Sequence, residues 1–248
     1  MLLAAALTFA LQDQAKGGPV ATDKPPVATV DRSAEPALKA LFAQSGALRG
    51  VHISLTSYSY ESEANRYNDD ATLDIWLGDK GRFRIQSSSN YWGGAGLFVS
   101  DGESLLSDDM ADDGSIRISK PKKTMHELSD SETILYALEG QEGFDELVEK
   151  DKPLKFVGSP SSDAEQVVEL HSKKLGVVVL HYSAGSCIPS EIDVQQAPWW
   201  LNSPDAPPVV RPYWVEKVKI VQSGTVDASR FRVVAPAGKP VIDERGKQ

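Results

Sequence analysis

The sequence predicts an α+β fold in which amphipathic helices cover one face of a curved antiparallel sheet. Between residues 71 and 121, short segments alternate apolar and polar side chains, as half-buried strands do. Turns rich in Gly and Asp separate these segments at 78–81, 100–103 and 112–115, and Gly supplies the positive φ that tight hairpins need. Apolar residues at helical spacing occur before this run and again after it. The pattern therefore predicts a meander flanked by two helical segments.

The composition is that of a globular protein with an acidic surface. The chain has 248 residues, of which 41% are hydrophobic and 25% are charged, so it is large enough to bury a core. Its net charge is -9, and its largest basic cluster is Lys120-Pro121-Lys122-Lys123. Because such a surface repels phosphate backbones, we expect no nucleic-acid partner. We expect a monomer.

The N-terminal segment predicts export. Residues 1–11 are almost entirely apolar and too short to span a bilayer, which is typical of a signal-peptide core. Residues 12–32 are polar and rich in Gly and Pro, so we expect a flexible leader. The single cysteine, Cys187, lies far from the N-terminal position of a lipid-anchoring cysteine. We therefore expect a periplasmic or secreted protein, soluble after cleavage, with one domain at 33–242 and a tail at 243–248.

The first helix is predicted to begin at Ser33, because Ser caps helix N-termini well. Leu38 and Phe42 belong to its apolar stripe. Gly46 or Gly50 is expected to end it. This helix has one face to bury against another element.

A second helical segment is predicted between residues 124 and 150. Leu135 and Leu138 recur at helical spacing, and Gly140 interrupts the pattern, so we expect two short helices. Strand patterns occur on both sides of this insertion. The first strand is predicted at 51–60, four more lie within 71–121, and the others are predicted at 154–158, 166–171, 177–182, 188–194, 215–221 and 231–234.

The search for reactive groups predicts no enzyme, catalytic residue, metal or cofactor, since no established catalytic motif occurs. Ser186 and Cys187 follow His181 in a turn, where a nucleophile with its base is one interpretation and an inert thiol is favoured. The acidic stretch 108–114 offers carboxylates to calcium but lacks an EF-hand loop, so a solvated hairpin tip is favoured. The four histidines show no metal-ligand spacing.

An unusually aromatic loop is predicted between residues 197 and 214. It is too rich in Pro for a central strand. Its aromatic side chains are candidates for contact with a partner protein, and the alternative is that they plug one end of the sheet. The candidates are Trp199, Trp200, Tyr213 and Trp214.

Four short segments carry a resemblance to a known family. They are Gly81-Arg82-Phe83-Arg84-Ile85, the turn 100–102, the segment 188–192 and the segment 231–238. Together with the order of helices and strands, they make the region 33–242 resemble the LolA/LolB-like superfamily of periplasmic lipoprotein carriers and receptors. The Pro- and Trp-rich loop departs from the carriers of that family.

The resemblance implies an unclosed, strongly curved β-barrel of about ten or eleven strands, with the helices covering its open side. It also implies an apolar cavity that holds an acyl chain, lipid or lipoprotein, and a lid that moves. Alternation along the strands and helices selects the cavity candidates, and a register error of one residue would turn the strand candidates outward. They are Ile75, Leu77, Phe83, Ile85, Leu97, Val99, Ile116, Ile118, Leu38, Phe42, Leu135 and Leu138.

Two other functions stay open at this stage. The same fold is compatible with a non-enzymatic envelope sensor or protein-interaction module that uses the loop at 197–214. A hydrolase of an unrecognised type would depend on Ser186 or Cys187.

Overall fold

The computed structural model contains one large sheet and three α-helices within its described residues. The signal-peptide candidate 1–11, most of the leader, and both Trp199 and Trp200 lie outside those residues. The described residues are 30–61, 64–89, 95–108, 114–121, 124–128, 133–157, 165–195 and 211–246. The helices are α1 (Glu35–Gly46), α2 (Thr133–Ala137) and α3 (Gln141–Leu147).

Twelve strands of this part of the chain form a single sheet. They are β1 (Val51–Glu61), β2 (Arg66–Leu77), β3 (Phe83–Ser89), β4 (Ala95–Ser100), β5 (Leu105–Asp108), β6 (Ile116–Ser119), β7 (Leu154–Phe156), β8 (Glu165–Ser172), β9 (Gly176–Ser183), β10 (Glu191–Val194), β11 (Trp214–Ser223) and β12 (Val241–Asp243).

The sheet is two meanders joined through the first strand. Its order is β12-β6-β5-β4-β3-β2-β1-β11-β10-β9-β8-β7, and the strands at its two ends are not neighbours, so the curved sheet stays unclosed. Neighbouring strands are antiparallel except for the parallel pair β12 and β6. The predicted fold class is therefore confirmed, with twelve strands in place of ten or eleven.

Three differences from the predicted strands lie near the C-terminus and in the first meander. The segment predicted as a strand at 231–234 instead follows a 3₁₀ turn, Ala228–Phe231, and continues as irregular chain. Strands β5 and β12, of four and three residues, are additions to the predicted set. Short strands of this kind depend on their neighbours more than on their own pattern.

The first helix ends where predicted but begins later. Its N-cap is Ala34, with no side-chain cap, and a proline occupies its first turn. The N–H of Ser33 instead donates to Asp31 Oδ1 at 2.9 Å. The fixed φ of the proline suits the first turn of a helix, which replaces the missing cap. Ser33 therefore does not serve as the predicted N-cap.

The three helices pack closely at one point. A Cβ on Gly46 would lie 2.6 Å from the Gly140 Cα, so only glycine allows this approach of α1 to the junction of α2 and α3. The hydroxyl of Ser45 donates to the Ala137 carbonyl oxygen at 2.5 Å. Gly140 has φ 66°, which breaks the helix as the sequence predicts.

The main core lies between these helices and one face of the sheet, which we call the inner face. Phe42 and Leu135 from the helices, and Ile53, Ile75 and Ile85 from the strands, belong to one buried cluster. The rings of Phe42 and Phe144 meet edge to face, with centroids 5.7 Å apart. Side chains therefore fill the space between helices and sheet where the family resemblance implies an acyl-chain cavity.

A second, smaller core lies on the opposite, outer face. It contains Val99, Leu106 and Ile116, and Val233 and Ala235 pack against it. Residues 228–243, which we call the C-terminal cover, thus shield the outer face of the first meander.

Candidate ligand cleft

A cleft of about 460 Å³ opens beside the main core, where α1 ends. Its walls come from the C-terminus of α1, the turn between β2 and β3, and the junction of α2 and α3. These segments are far apart in the sequence. The sheet and the close contact of Gly46 with Gly140 bring them together.

The floor of the cleft is apolar. Leu77, Phe83 and Leu138 line it, and each belongs to the main core. Met125 adds a fourth apolar side chain to the lining of the cleft and is only partly buried. The cleft is therefore a continuation of the core toward the surface.

Two arginines stand at the rim. Arg49 Nη1 donates to the Gly46 carbonyl oxygen at 2.9 Å, which holds it over the end of α1. Arg82 Nε donates to the Asp79 carbonyl oxygen at 3.0 Å, and its guanidinium lies 5.6 Å from the centroid of the Phe231 ring. Both guanidinium groups are thus held beside an apolar floor.

A buried acid supports one wall of the cleft. Glu139 accepts a hydrogen bond from the His126 backbone N–H at 2.9 Å, and it also contacts the His126 ring and the Met125 backbone N–H. Burial raises the pKa of Glu139, and the contacts with His126 oppose that rise. The His126 ring also stacks on Tyr136 at 4.5 Å. This network fixes the 3₁₀ turn His126–Leu128 against α2.

Eight of the twelve cavity candidates belong to the main core on the inner face. Three of them line the cleft, namely Leu77, Phe83 and Leu138. The other five, Ile75, Ile85, Leu38, Phe42 and Leu135, are packed in the main core.

The placement of Leu97, Val99, Ile116 and Ile118 on the inner face was wrong. Leu97, Val99 and Ile116 belong to the outer cluster. Ile118 pairs with Leu106 of that cluster, so it shares the outer face. On β4 the side chain that meets the main core is Phe98. Leu97, Val99 and Ile116 keep the predicted alternation, but the C-terminal cover packs on them in place of the helices.

The described end of the aromatic loop is fixed to the sheet. The Tyr213 N–H donates to the Val194 carbonyl oxygen at 2.9 Å, and the Tyr67 hydroxyl donates to the Pro212 carbonyl oxygen at 2.8 Å. Trp214 is partly buried and packs against the main core. Tyr213 is half-buried. Trp199 and Trp200 fall outside the described residues.

The turn that carries Ser186 and Cys187 is built from its own hydrogen bonds. The Ser186 hydroxyl donates to the Ile188 carbonyl oxygen at 2.6 Å. Burial raises the pKa of the Cys187 thiol, which disfavours the thiolate. The ring nitrogens of His181 face Asp193 and Glu165, not this turn.

Sequence reasoning missed Arg49, Glu139 and His126. None of them stands in a motif, and their partners come from other segments. The sequence offered only two glycines at predicted helix breaks, Gly46 and Gly140, and the structure shows that they meet beside this site.

The sequence matches no protein-family model and no curated protein. Several solved structures are similar in fold. A conserved uncharacterized protein from Thermus thermophilus has a TM-score of 0.45 and 8% identity over 84% of this chain and 99% of its own. MucB has a TM-score of 0.39 and 12% identity over 82% of this chain and 64% of its own.

A third similar structure is the LolA superfamily protein NE2245 from Nitrosomonas europaea, with a TM-score of 0.35 and 8% identity over 79% of this chain and 97% of its own. It carries the name of the family that the sequence resembles. The sheet order and the helices described above carry the fold assignment. Within the described residues, no helix is both long and apolar enough to cross a membrane.

Proposed function

We propose that the chain binds an amphiphile, an acyl chain with an anionic head group, in the cleft at the end of α1. The observation that carries this proposal is an apolar floor, formed by Leu77, Phe83 and Leu138, beneath a rim with two guanidinium groups. The volume of about 460 Å³ lies in the range of small-molecule sites. The apolar signal-peptide pattern at 1–11 supports a periplasmic or secreted location.

The cleft by itself supports weak binding. Burying ~8 methylenes at ~0.8 kcal/mol each contributes about 6 kcal/mol, while association costs at least about 4 kcal/mol. A whole acyl chain needs more room, and Phe42 and Leu135 fill the inner face. Tight binding of a lipid or lipoprotein therefore requires the helices to move away from the sheet, which is the lid movement that a carrier needs.

The test is competition between a dansyl-labelled fatty acid and decanoate. Met125→Trp should fill the cleft and abolish displacement of the labelled fatty acid by decanoate. Met125 is chosen because it lies in a partly buried wall, which tolerates a larger side chain better than the buried floor. Arg82→Ala should weaken decanoate binding about fivefold, the value of a partly exposed ion pair of ~1 kcal/mol. Methyl decanoate separates the two effects, because its neutral head should bind wild type and Arg82→Ala equally.

The matched control is Arg66→Ala, which removes an exposed arginine at the opposite end of β2. Its binding should equal that of the wild type. Failure of decanoate to displace the probe from the wild type, or full displacement from Met125→Trp, would contradict the proposal.

An interaction module at the opposite end of the sheet is the second candidate function. Its supporting observation is an aromatic group at the base of the loop, where the rings of Tyr60 and Tyr67 lie 5.3 Å apart and Arg211 stacks on Tyr60 at 5.9 Å. The Tyr60 N–H donates to the Tyr213 carbonyl oxygen at 2.9 Å, which fixes this base. Aromatic and arginine side chains are common in protein interfaces.

Crosslinking in envelope extracts distinguishes the two functions. A partner-binding loop predicts a crosslinked complex that is lost when Trp199 and Trp200 are both changed to Ala, and that persists in Met125→Trp. Equal crosslinking of the double variant and the wild type would exclude the module.

A further inference from the structure

A compact group of potential metal ligands lies on the outer face of the second meander. His181 of β9 pairs directly with Glu191 of β10, and Asp193 follows two residues later on the same face. One ligand atom from each residue lies within 4.8 Å of the other two. Because all three side chains project from paired strands, the backbone holds their positions rigidly.

The separation of His181 and Asp193 suits a shared cation. His181 Nε2 lies 3.3 Å from Asp193 Oδ2, which is long for a hydrogen bond between such groups. Two ligand atoms at ~2.0 to 2.1 Å from a tetrahedral zinc ion are roughly 3.3 Å apart. The two atoms therefore already have the spacing of one edge of a zinc coordination tetrahedron.

The second oxygen of Asp193 is an independent observation. Asp193 Oδ1 is buried and has no hydrogen-bond partner. Its strand neighbours on either side are Val179 and Val215, which are both buried. Oδ2 of the same carboxylate contacts His181, and the Asp193 side chain as a whole is 14% exposed. A buried carboxylate oxygen loses its hydration without compensation, and a cation bound by both oxygens of Asp193 would compensate Oδ1.

The other ring nitrogen of His181 faces a further carboxylate. His181 Nδ1 lies 3.4 Å from Glu165 Oε1 of β8. Histidines that bind zinc through one nitrogen generally donate the other N–H to a carboxylate, which orients the ring. Glu165 stands in that position. Lys217 of β11 forms an ion pair with Glu191, so the ion pairs of the described residues at this group join three carboxylates, one imidazole and one ammonium.

We propose that His181, Glu191 and Asp193 form a binding site for a divalent cation of the zinc class, with Glu165 positioning the His181 ring. Imidazole and carboxylate ligands suit zinc. A divalent charge balances the excess of carboxylates. Three protein ligands leave a fourth position to water. The site is distinct from the ligand cleft, because none of its residues lines that cleft.

The test is zinc titration of the full chain, free of any tag and stripped with a chelator, by calorimetry and elemental analysis. The wild type should bind one zinc ion per chain. His181→Ala and Asp193→Asn should bind at least 100-fold more weakly, and Glu165→Gln should lose 10- to 100-fold. Lys217→Met should bind zinc several-fold more tightly, because it removes the ammonium group that pairs with Glu191. Asp193→Asn keeps the size of the side chain, and circular dichroism checks its fold.

The matched control is His171→Ala, which removes a histidine of the same sheet that lies outside the group. Its zinc affinity should equal that of the wild type. Wild-type protein without stoichiometric zinc, or equal affinities for the wild type and Asp193→Asn, would overturn the proposal. Displacement of the fatty-acid probe should be the same in all of these variants, so failure of one site is separable from failure of the other.

Discussion

The two faces of the sheet differ in what covers them. On the inner face, three helices bury one continuous cluster that reaches from β7 through β1 to β5. On the outer face, the C-terminal cover shields a cluster of three buried residues over the first meander, while the second meander carries the polar group at His181. The same alternation of strands therefore supports a packed core on one side and a divided surface on the other.

Alternation along a strand identifies residues that share a face but does not identify the element that covers them. Val99 and Ile85 both lie on strands with clear alternation, and they end in different clusters. Four substitutions measure how far the two faces differ in their contribution to stability.

The largest effect is expected on the inner face. Phe42→Ala should lower the free energy of unfolding by about 3 to 5 kcal/mol, because Phe42 is fully buried and its ring packs on Phe144. Chemical denaturation gives this value. A loss below ~1 kcal/mol would mean that the helices do not pack tightly on the sheet.

Truncation of a residue in the outer cluster should lower the free energy of unfolding by a smaller amount. Leu106→Ala is expected to cost about 2 to 3 kcal/mol, since Leu106 is fully buried but its small cluster can collapse under a cover of irregular chain. Val234→Ala is the control in the same denaturation experiment, because Val234 is 69% exposed. A cost for Leu106→Ala equal to that of the control would show that the cover is not closed in solution.

An ion pair fastens the C-terminal cover. Lys239 Nζ donates to Asp108 Oδ1 at 2.7 Å and to Oδ2 at 2.9 Å, and Asp108 is buried. Lys239→Ala should cost about 1.5 kcal/mol, because it leaves this carboxylate without its cation. Thermal unfolding compared with Lys219→Ala, an exposed lysine of β11, tests this value. Equal melting temperatures for the two variants would contradict it.

The smallest effect concerns the surface of α1 and depends on pH. Hydrogen bonds from Arg32 and then Lys39 lower the pKa of Glu35 to about 2. A lowered carboxyl pKa gives stability that is present above the ordinary value near 4.5 and is lost as the pH falls toward 2.

Glu35→Gln should therefore cost about 0.5 kcal/mol at pH 7, because solvent screens this pair. The difference between wild type and variant should vanish near pH 2 in urea denaturation. A difference that grows on acidification has the opposite sign and would refute the assignment.

Local signals accounted for most of the fold. Gly46 ends α1 and Gly140 divides the inserted helices, as their positions in the pattern predicted. The alternation through Ile75 and Ile85 also placed those residues correctly on the inner face. In each of these cases the signal that predicts the feature lies within a few residues of it.

The remainder depends on contacts between distant segments. The outward placement of Val99 depends on the C-terminal cover, which begins at Ala228 and packs as irregular chain where the sequence predicts a strand at 231–234. His181 and Asp193 have no metal-ligand spacing in the sequence, and only the pairing of β9 with β10 brings them together. The cleft similarly requires Arg49, Arg82 and Glu139 from three separate segments.

The pairing of β1 with β11 also sets the order of events in folding. It aligns Val51 with Ser223, so this contact closes a loop that contains most of the sheet. Pairings of such long range are slow to form, because the chain loses the entropy of the loop before the contact compensates it. Until β11 pairs with β1, the backbone groups along one edge of β1 are unpaired and can bond to other chains. Aggregation during refolding should therefore depend more on β11 than on any other strand of the sheet.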